Sequence, residues 1–118
     1  MKLLYLAGPL PSKSAWRAYV TSKIATEFSV INPEIIEVKD NYNIVNVDKH
    51  YIGKSDIILA NITGLSVGTS MEIIYAHSLN KYVITVCPDH FLSPWHVAHS
   101  TIVLPDLDLA LNHILNIP

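Results

Sequence analysis

Glu72 is the residue whose surroundings most suggest chemistry. It closes a run of small, hydrogen-bonding residues (Asn61, Thr63, Gly64, Ser66, Gly68, Thr69, Ser70) that follows the unbroken apolar run Ile57 to Ala60. Such an apolar run, with β-branched character, is the pattern of a strand covered on both faces. The next apolar set, Met71, Ile74, Tyr75 and Leu79, has helical spacing, which predicts a helix with Glu72 in its first turn. A carboxylate there is partly desolvated yet well supplied with donors, so it can stay ionised and aimed, as a carboxylate nucleophile requires. The alternative is ordinary helix chemistry, in which the acid complements the helix dipole or closes a capping box with Thr69.

The six histidines raise a metal reading, since His90, His96 and His99 lie close together and a helix through Pro94 would put the last two on one face. Zinc sites ordinarily add cysteine or carboxylate ligands in tighter motifs, so surface or interface histidines are the preferred reading and no metal is expected. Trp95 beside them suits an interface or a stacked base. Trp16 suits the same roles or the core.

The elements that must position Glu72 alternate between strand and helix. Residues 2–7 read as a buried strand ended by Gly8-Pro9-Leu10-Pro11, and Ser12 or Ser14 can cap the helix that follows, which is expected to run to about Phe28. Residues 29–32 and 35–38 are strand-like pieces around Pro33, one of which supplies the second strand. Residues 39–46 read as polar and irregular, and 45–51 as a short helix carrying Asp48. Residues 82–87 are the clearest strand, 94–100 one or two helical turns, 101–104 a last strand and 106–116 a closing helix. This alternation implies a three-layer, flavodoxin-like (Rossmann-like) α/β domain with a five-stranded parallel sheet of order 2-1-3-4-5. The loops after the first, third and fourth strands, residues 8–14, 62–68 and 88–93, then share one edge, where ligands bind in open α/β sheets.

At 118 residues, with 50% hydrophobic and 15% charged content, the chain suits one domain over residues 1–118. A net charge of −2 without a cationic cluster argues against a nucleic-acid polymer as partner, though not against a free nucleotide. The single Cys87 allows no internal disulfide, which fits a cytoplasmic protein. No signal peptide, membrane span, repeat or linker is apparent.

Tyr5-Leu6-Ala7-Gly8-Pro9, residues 55–61 (SDIILAN), residues 68–76 (GTSMEIIYA) and Lys81-Tyr82-Val83-Ile84 together resemble the nucleoside 2-deoxyribosyltransferase superfamily, which includes the 2′-deoxynucleoside 5′-monophosphate N-hydrolases. The resemblance runs over nearly the whole chain in the right order. It implies Glu72 as the nucleophile that attacks C1′ of the sugar, Tyr5 as the group that orients it, and Asp48 as the acid that helps the base depart. It implies a substrate-binding rim of Gly8, Pro9, Asn61 and Gly68. Ser66, six residues before Glu72, matches the hydrolases' serine, where the transferases carry an aspartate for the free 5′-hydroxyl. A hydroxyl can donate to a phosphate that a carboxylate would repel. Ser93 resembles a serine contributed to that phosphate across a dimer interface, which implies a homodimer or larger homo-oligomer.

The first loop departs from the hydrolase pattern. Pro9 and Pro11 stand where those enzymes place a serine and an arginine, so phosphate contacts would fall to Ser12, Lys13 or Ser14 or to the helix start. The expected activity is N-glycosidic cleavage of a nucleoside 5′-monophosphate, without cofactor or metal. The alternatives are base exchange on 2′-deoxynucleosides and a non-catalytic nucleotide-binding module. A flavodoxin-type electron carrier is disfavoured, because the two prolines remove backbone donors that a flavin-phosphate loop needs. Asp56, at the far end of its strand, is read as structural.

Overall fold

A computed structural model describes residues 2–9, 15–33, 36, 40–64, 66–88 and 91–117. Its elements are β1 (Lys2–Ala7), α1 (Ala15–Ile24), β2 (Phe28–Ile31), α2 (Asn41–Lys54), β3 (Ile57–Asn61), α3 (Val67–Ser78), β4 (Tyr82–Val86), α4 (Pro94–Ala98), β5 (Ile102–Leu104) and α5 (Leu107–Leu115). The strands form one sheet of order β2-β1-β3-β4-β5, and every pairing is parallel. This is the flavodoxin-like topology expected from the alternation of elements.

Strand alternation divides the core in two. Leu4, Leu6, Ile57, Leu59 and Ile84 pack with Val20 and Ile24 of α1 and with Ala110, Leu111 and Ile114 of α5. Tyr5, Ala7, Ile58, Ala60 and Val83 face the other way, against Ile52 of α2 and Ile73 and Ala76 of α3. Central β3 is buried at all five positions, which accounts for its lack of polar alternation. Asp56 joins β1 to β3 at the end remote from the small-residue loop: its carboxylate accepts from the Leu3 amide at 2.9 Å. Its own amide donates to the Leu3 carbonyl at 2.9 Å. The structural role read for it therefore holds.

The boundary differences from the sequence reading that bear on the site lie at α1, α2 and α3. Helix α1 stops at Ile24 and Phe28 opens β2, paired with Lys2. Phe28 lies four residues after Ile24, so it satisfied helical spacing although it belongs to the sheet. Helix α2 begins at Asn41, inside the stretch read as irregular, because Asp40 caps it by accepting from the Asn43 amide at 2.9 Å. Helix α3 begins at Val67 with Ser66 as its cap, so Glu72 is its sixth residue and lies in the second turn, not the first. The capping box anticipated between Thr69 and Glu72 is thereby excluded. Residues 10–14 fall outside the described residues, and with them the expected caps Ser12 and Ser14, as do most of 35–38 and His90. No helix of the described residues is long and apolar enough to cross a membrane.

Candidate active site

Helical spacing places Asp48. Ile44, Asp48 and Ile52 stand four apart on α2 and share one face, so the apolar stripe that docks α2 carries a half-buried carboxyl in its middle. On α3 the buried stripe is Thr69, Ile73 and Ala76, and Glu72 stands beside it. Between these helices, on the same face of the sheet, Tyr5 of β1 projects fully buried. Its hydroxyl donates to Glu72 Oε2 at 2.5 Å, the short length of a bond to a charged acceptor, and Asp48 is within hydrogen-bonding reach of the same hydroxyl.

Burial dominates the electrostatics. It raises Glu72 from the ordinary 4.5 to about 7; the Tyr5 hydrogen bond opposes the rise, the Asp48 charge adds to it and Arg17 opposes it. Asp48 is also raised by burial, with Tyr5 and Arg17 working against the shift. Burial, followed by the two carboxyl neighbours, pushes the Tyr5 phenol far above its usual range, so it stays a donor. Two carboxyls around one hydroxyl titrate as a pair, and burial raises both. Tyr5 aims its own hydrogen at Glu72, and that bond favours the charged form of Glu72 against the burial that raises it.

Asp48 and Glu72 line a cavity of about 600 Å³ between α2 and α3, with Gly68 at one margin and Ile44, Met71 and Tyr75 among its walls. This is the range of small-molecule sites. The other expected site residues are not in its lining. Asn61 is buried at the end of β3. Ser66 caps α3, accepting from the Thr69 amide at 3.3 Å with its Oγ 2.7 Å from Thr69 Oγ1. Gly8 and Pro9 form the exit of β1. A Cβ on Gly8 would lie 2.6 Å from Trp16 Cζ2, so close approach of α1 requires glycine there.

Ser93 caps α4, accepting from the Trp95 amide at 3.1 Å. Its own amide donates to His96 Nδ1 at 3.2 Å, which leaves the ring proton on Nε2, 3.2 Å from Ser70 Oγ on α3. His96 therefore ties α4 to the helix that carries Glu72. His99 stacks on Trp95, with ring centroids 5.7 Å apart. Among the described residues no three His, Cys, Asp or Glu groups are placed to hold a metal ion.

Arg17 was not singled out from the sequence. It is wholly buried: Nη2 donates to the carbonyls of Gly8 (3.1 Å) and Leu6 (3.4 Å), and Nη1 to that of Pro9 (3.5 Å). A signal existed, because Arg17, Val20 and Ile24 fall at helical spacing on the buried stripe of α1.

The fold and the buried carboxyl pair define the class, an α/β domain with two acids beside the carboxyl ends of its strands, where such folds bind ligands. The family profile described as nucleoside 2-deoxyribosyltransferase matches residues 4–105, and the chain belongs to that family, whose enzymes are of the glycosyl-transferring and N-glycosidic kind. A conserved protein from Enterococcus faecalis V583 is similar in structure, with a TM-score of 0.86 at 20% identity over 98% of both chains. A CMP N-glycosidase from Clostridium botulinum is similar at TM-score 0.72 and 16% identity, covering 96% of this chain and 97% of that one. A 2-deoxyribosyltransferase from Leishmania mexicana is similar at TM-score 0.67 and 25% identity, covering 75% of this chain and 66% of that one. Among curated proteins no sequence match was found.

Proposed function

We propose that this protein cleaves the N-glycosidic bond of a nucleoside 5′-monophosphate, through a covalent glycosyl ester on Glu72. The observation that carries the reading is the Tyr5 hydroxyl aimed at Glu72 at 2.5 Å, beside Asp48 in the lining of one cavity. In the first step a Glu72 carboxylate oxygen bonds to C1′. The C1′–N bond breaks with its electron pair going to the base, and Asp48 gives its proton to that base. In the second step water attacks C1′, Asp48 takes a proton from it, and Glu72 leaves as carboxylate. Two displacements at one carbon retain configuration. A purine or pyrimidine finds apolar walls in Ile44, Met71 and Tyr75. The exposed Val45, Val67 and Met71 beside it support a second copy of the chain closing the site.

The 5′-phosphate is assigned to the start of α3, where Ser66 stands with a hydroxyl rather than a carboxylate, with Ser93 contributed by the second copy. Transfer of the sugar to another base is the second reading. It is favoured by Pro9, which offers the phosphate no donor, and by the structural likeness to the Leishmania mexicana enzyme.

The test is base release, followed by chromatography, from ribo- and deoxynucleosides and their 5′-monophosphates, with and without a second base, in the wild type and in Glu72→Ala. Release from monophosphates alone, abolished by Glu72→Ala and weakened in KM by Ser66→Ala, is the expected result. Base exchange on unphosphorylated deoxynucleosides establishes the transferase instead. Tight nucleotide binding without turnover, unchanged in Glu72→Ala, refutes both.

A further inference from the structure

The first turn of α4 rests on one histidine ring. Ser93 is the cap, Pro94, Trp95 and His96 follow it, and Ser93 and His96 close a capping box. Glutamate or glutamine ordinarily stands at that third helical position, where a side-chain oxygen accepts from the cap amide. Here the acceptor is His96 Nδ1, 3.2 Å from the Ser93 amide nitrogen. A neutral imidazole has one acceptor nitrogen, and an imidazolium has none. Taking up a proton therefore turns Nδ1 into a donor and sets it against the Ser93 N–H.

His96 is buried, and its Nε2 meets Ser70 Oγ of α3 at 3.2 Å. With Nδ1 accepting, Nε2 carries the proton and donates to that hydroxyl, so the ring is not a base for Ser70. The backbone of His96 is anchored separately. The Ser100 hydroxyl donates to its carbonyl at 2.6 Å and lies 2.6 Å from Thr85 Oγ1 of β4. The end of α4 is thus held to the sheet without the ring, whereas its start is held through the ring.

The other ionisable groups around α4 are engaged otherwise. His99 Nδ1 donates to the Trp95 carbonyl at 2.8 Å, a bond that survives a second proton on that ring. His77 of α3 touches His99, with ring centroids 5.0 Å apart, and Glu72 of α3 is bonded by Tyr5. From the end of β4, the Cys87 thiol donates to the Pro88 carbonyl at 3.3 Å. Strand β5 carries no ionisable side chain.

We propose that His96 is a proton-sensitive positioning residue. Neutral, it locks the first turn of α4, and Ser93 with it, onto α3; protonated, it releases that turn while the end of the helix stays on the sheet. Histidine is the side chain that ordinarily changes charge between about pH 5 and 8, so mild acidification is the trigger. The lock itself is independent of the proposed function, whereas its effect on a bound 5′-phosphate, through Ser93, rests on that reading.

The test follows the nitrogen-15 resonances of the His96 ring and the hydrogen-exchange protection of the Ser93 amide from about pH 8 to about pH 5, in the wild type, His96→Gln, His96→Ala and His99→Gln. The expected wild-type result is an Nε2–H tautomer at high pH. Ser93 protection should fall by about tenfold on acidification, the usual weight of one hydrogen bond, with the same midpoint as the ring. Glutamine can accept from the Ser93 amide and takes up no proton, so His96→Gln should keep the protection throughout. His96→Ala should lack it throughout, and His99→Gln should behave as the wild type. An Nδ1–H tautomer, a wild-type protection that ignores the midpoint of the ring, or an equal loss in His96→Gln overturns the proposal. Where a variant does not fold, the wild-type comparison of ring and amide decides alone. None of these measurements needs turnover, so an inactive protein refutes the proposed function while leaving this test decisive.

Discussion

Removing one oxygen, in Tyr5→Phe, tests the centre of the site most directly. The ring is fully buried and packs with Ala7, Ile58 and Ile73, so phenylalanine keeps the packing. What is lost is the donor 2.5 Å from Glu72 Oε2. A hydrogen bond to a charged group contributes about 1.5–3 kcal/mol, and each pH unit corresponds to about 1.4 kcal/mol. The Glu72 midpoint, already raised to about 7 by burial, therefore moves up by about one to two pH units. Loss of a bond to the ionised form disfavours that form, so the move is upward. The acid limb of kcat/KM reports ionisation in the free enzyme and should shift by the same amount, so the rate at pH 7, where the wild-type group is half ionised, falls by roughly five- to fiftyfold and partly recovers at higher pH. An acid limb that stays in place, with the fold intact, would show that Tyr5 does not set the charge of Glu72.

Glu72→Gln should abolish turnover and change the pH dependence of stability. The wild-type acid titrates at about 7 folded against 4.5 as its ordinary value, so the folded state is favoured by protonation below 4.5 and loses that advantage as pH rises through 7. Glutamine removes the loss. Relative to wild type the variant should gain roughly 3 kcal/mol between pH 4 and 8, read by urea unfolding at each pH; a gain independent of pH would refute the assignment. Asp48→Asn should lower kcat by about a hundred- to ten-thousandfold for ordinary bases and far less for a base analogue that departs without a proton; equal losses for both would remove Asp48 from proton delivery. In Gly8→Ala the new Cβ would stand 2.6 Å from Trp16 Cζ2 and 3.3 Å from Arg17 Nη2. A loss of about 1–3 kcal/mol in urea midpoint stability is expected, and a neutral result would mean that α1 is free to shift.

The sequence carried the sheet well because burial is written in composition: β1 was delimited to the residue, and β3 announced itself by an unbroken apolar run. Helix boundaries were less legible. Asn41, Asn43 and Asn46 are poor helix formers, and α2 owes its start to the Asp40 cap and its apolar stripe rather than to propensity. In α3 the sequence reading considered Thr69 as the cap, three residues before Glu72, and only the closed fold selects Ser66. The meeting of Tyr5, Asp48 and Glu72 followed from the family resemblance, since three residues so far apart share no local pattern. Arg17 escaped because a charged residue on a helix is ordinarily solvated, and its burial depends on the carbonyls at the exit of β1 and on the bare Gly8.

The displacement of Glu72 from the first turn of α3 to the second changes what must hold its charge. In a first turn, backbone amides without helical partners point at an acid and the helix dipole favours its anion. Those contributions fade beyond that turn. From the sixth position of α3 the amides are engaged with carbonyls one turn earlier, so burial acts almost unopposed by the backbone, as the rise to about 7 reflects. The anion must then be supported from other elements. Tyr5 donates from β1, and Arg17 opposes the rise from α1. A carboxylate held this way is ionised only as far as its neighbours allow, and burial raises Asp48 as well. Under the proposed function a single desolvated pocket would supply both the anion that attacks and the acid that releases the base, and the direction in which the Tyr5 hydroxyl points would set their division of roles.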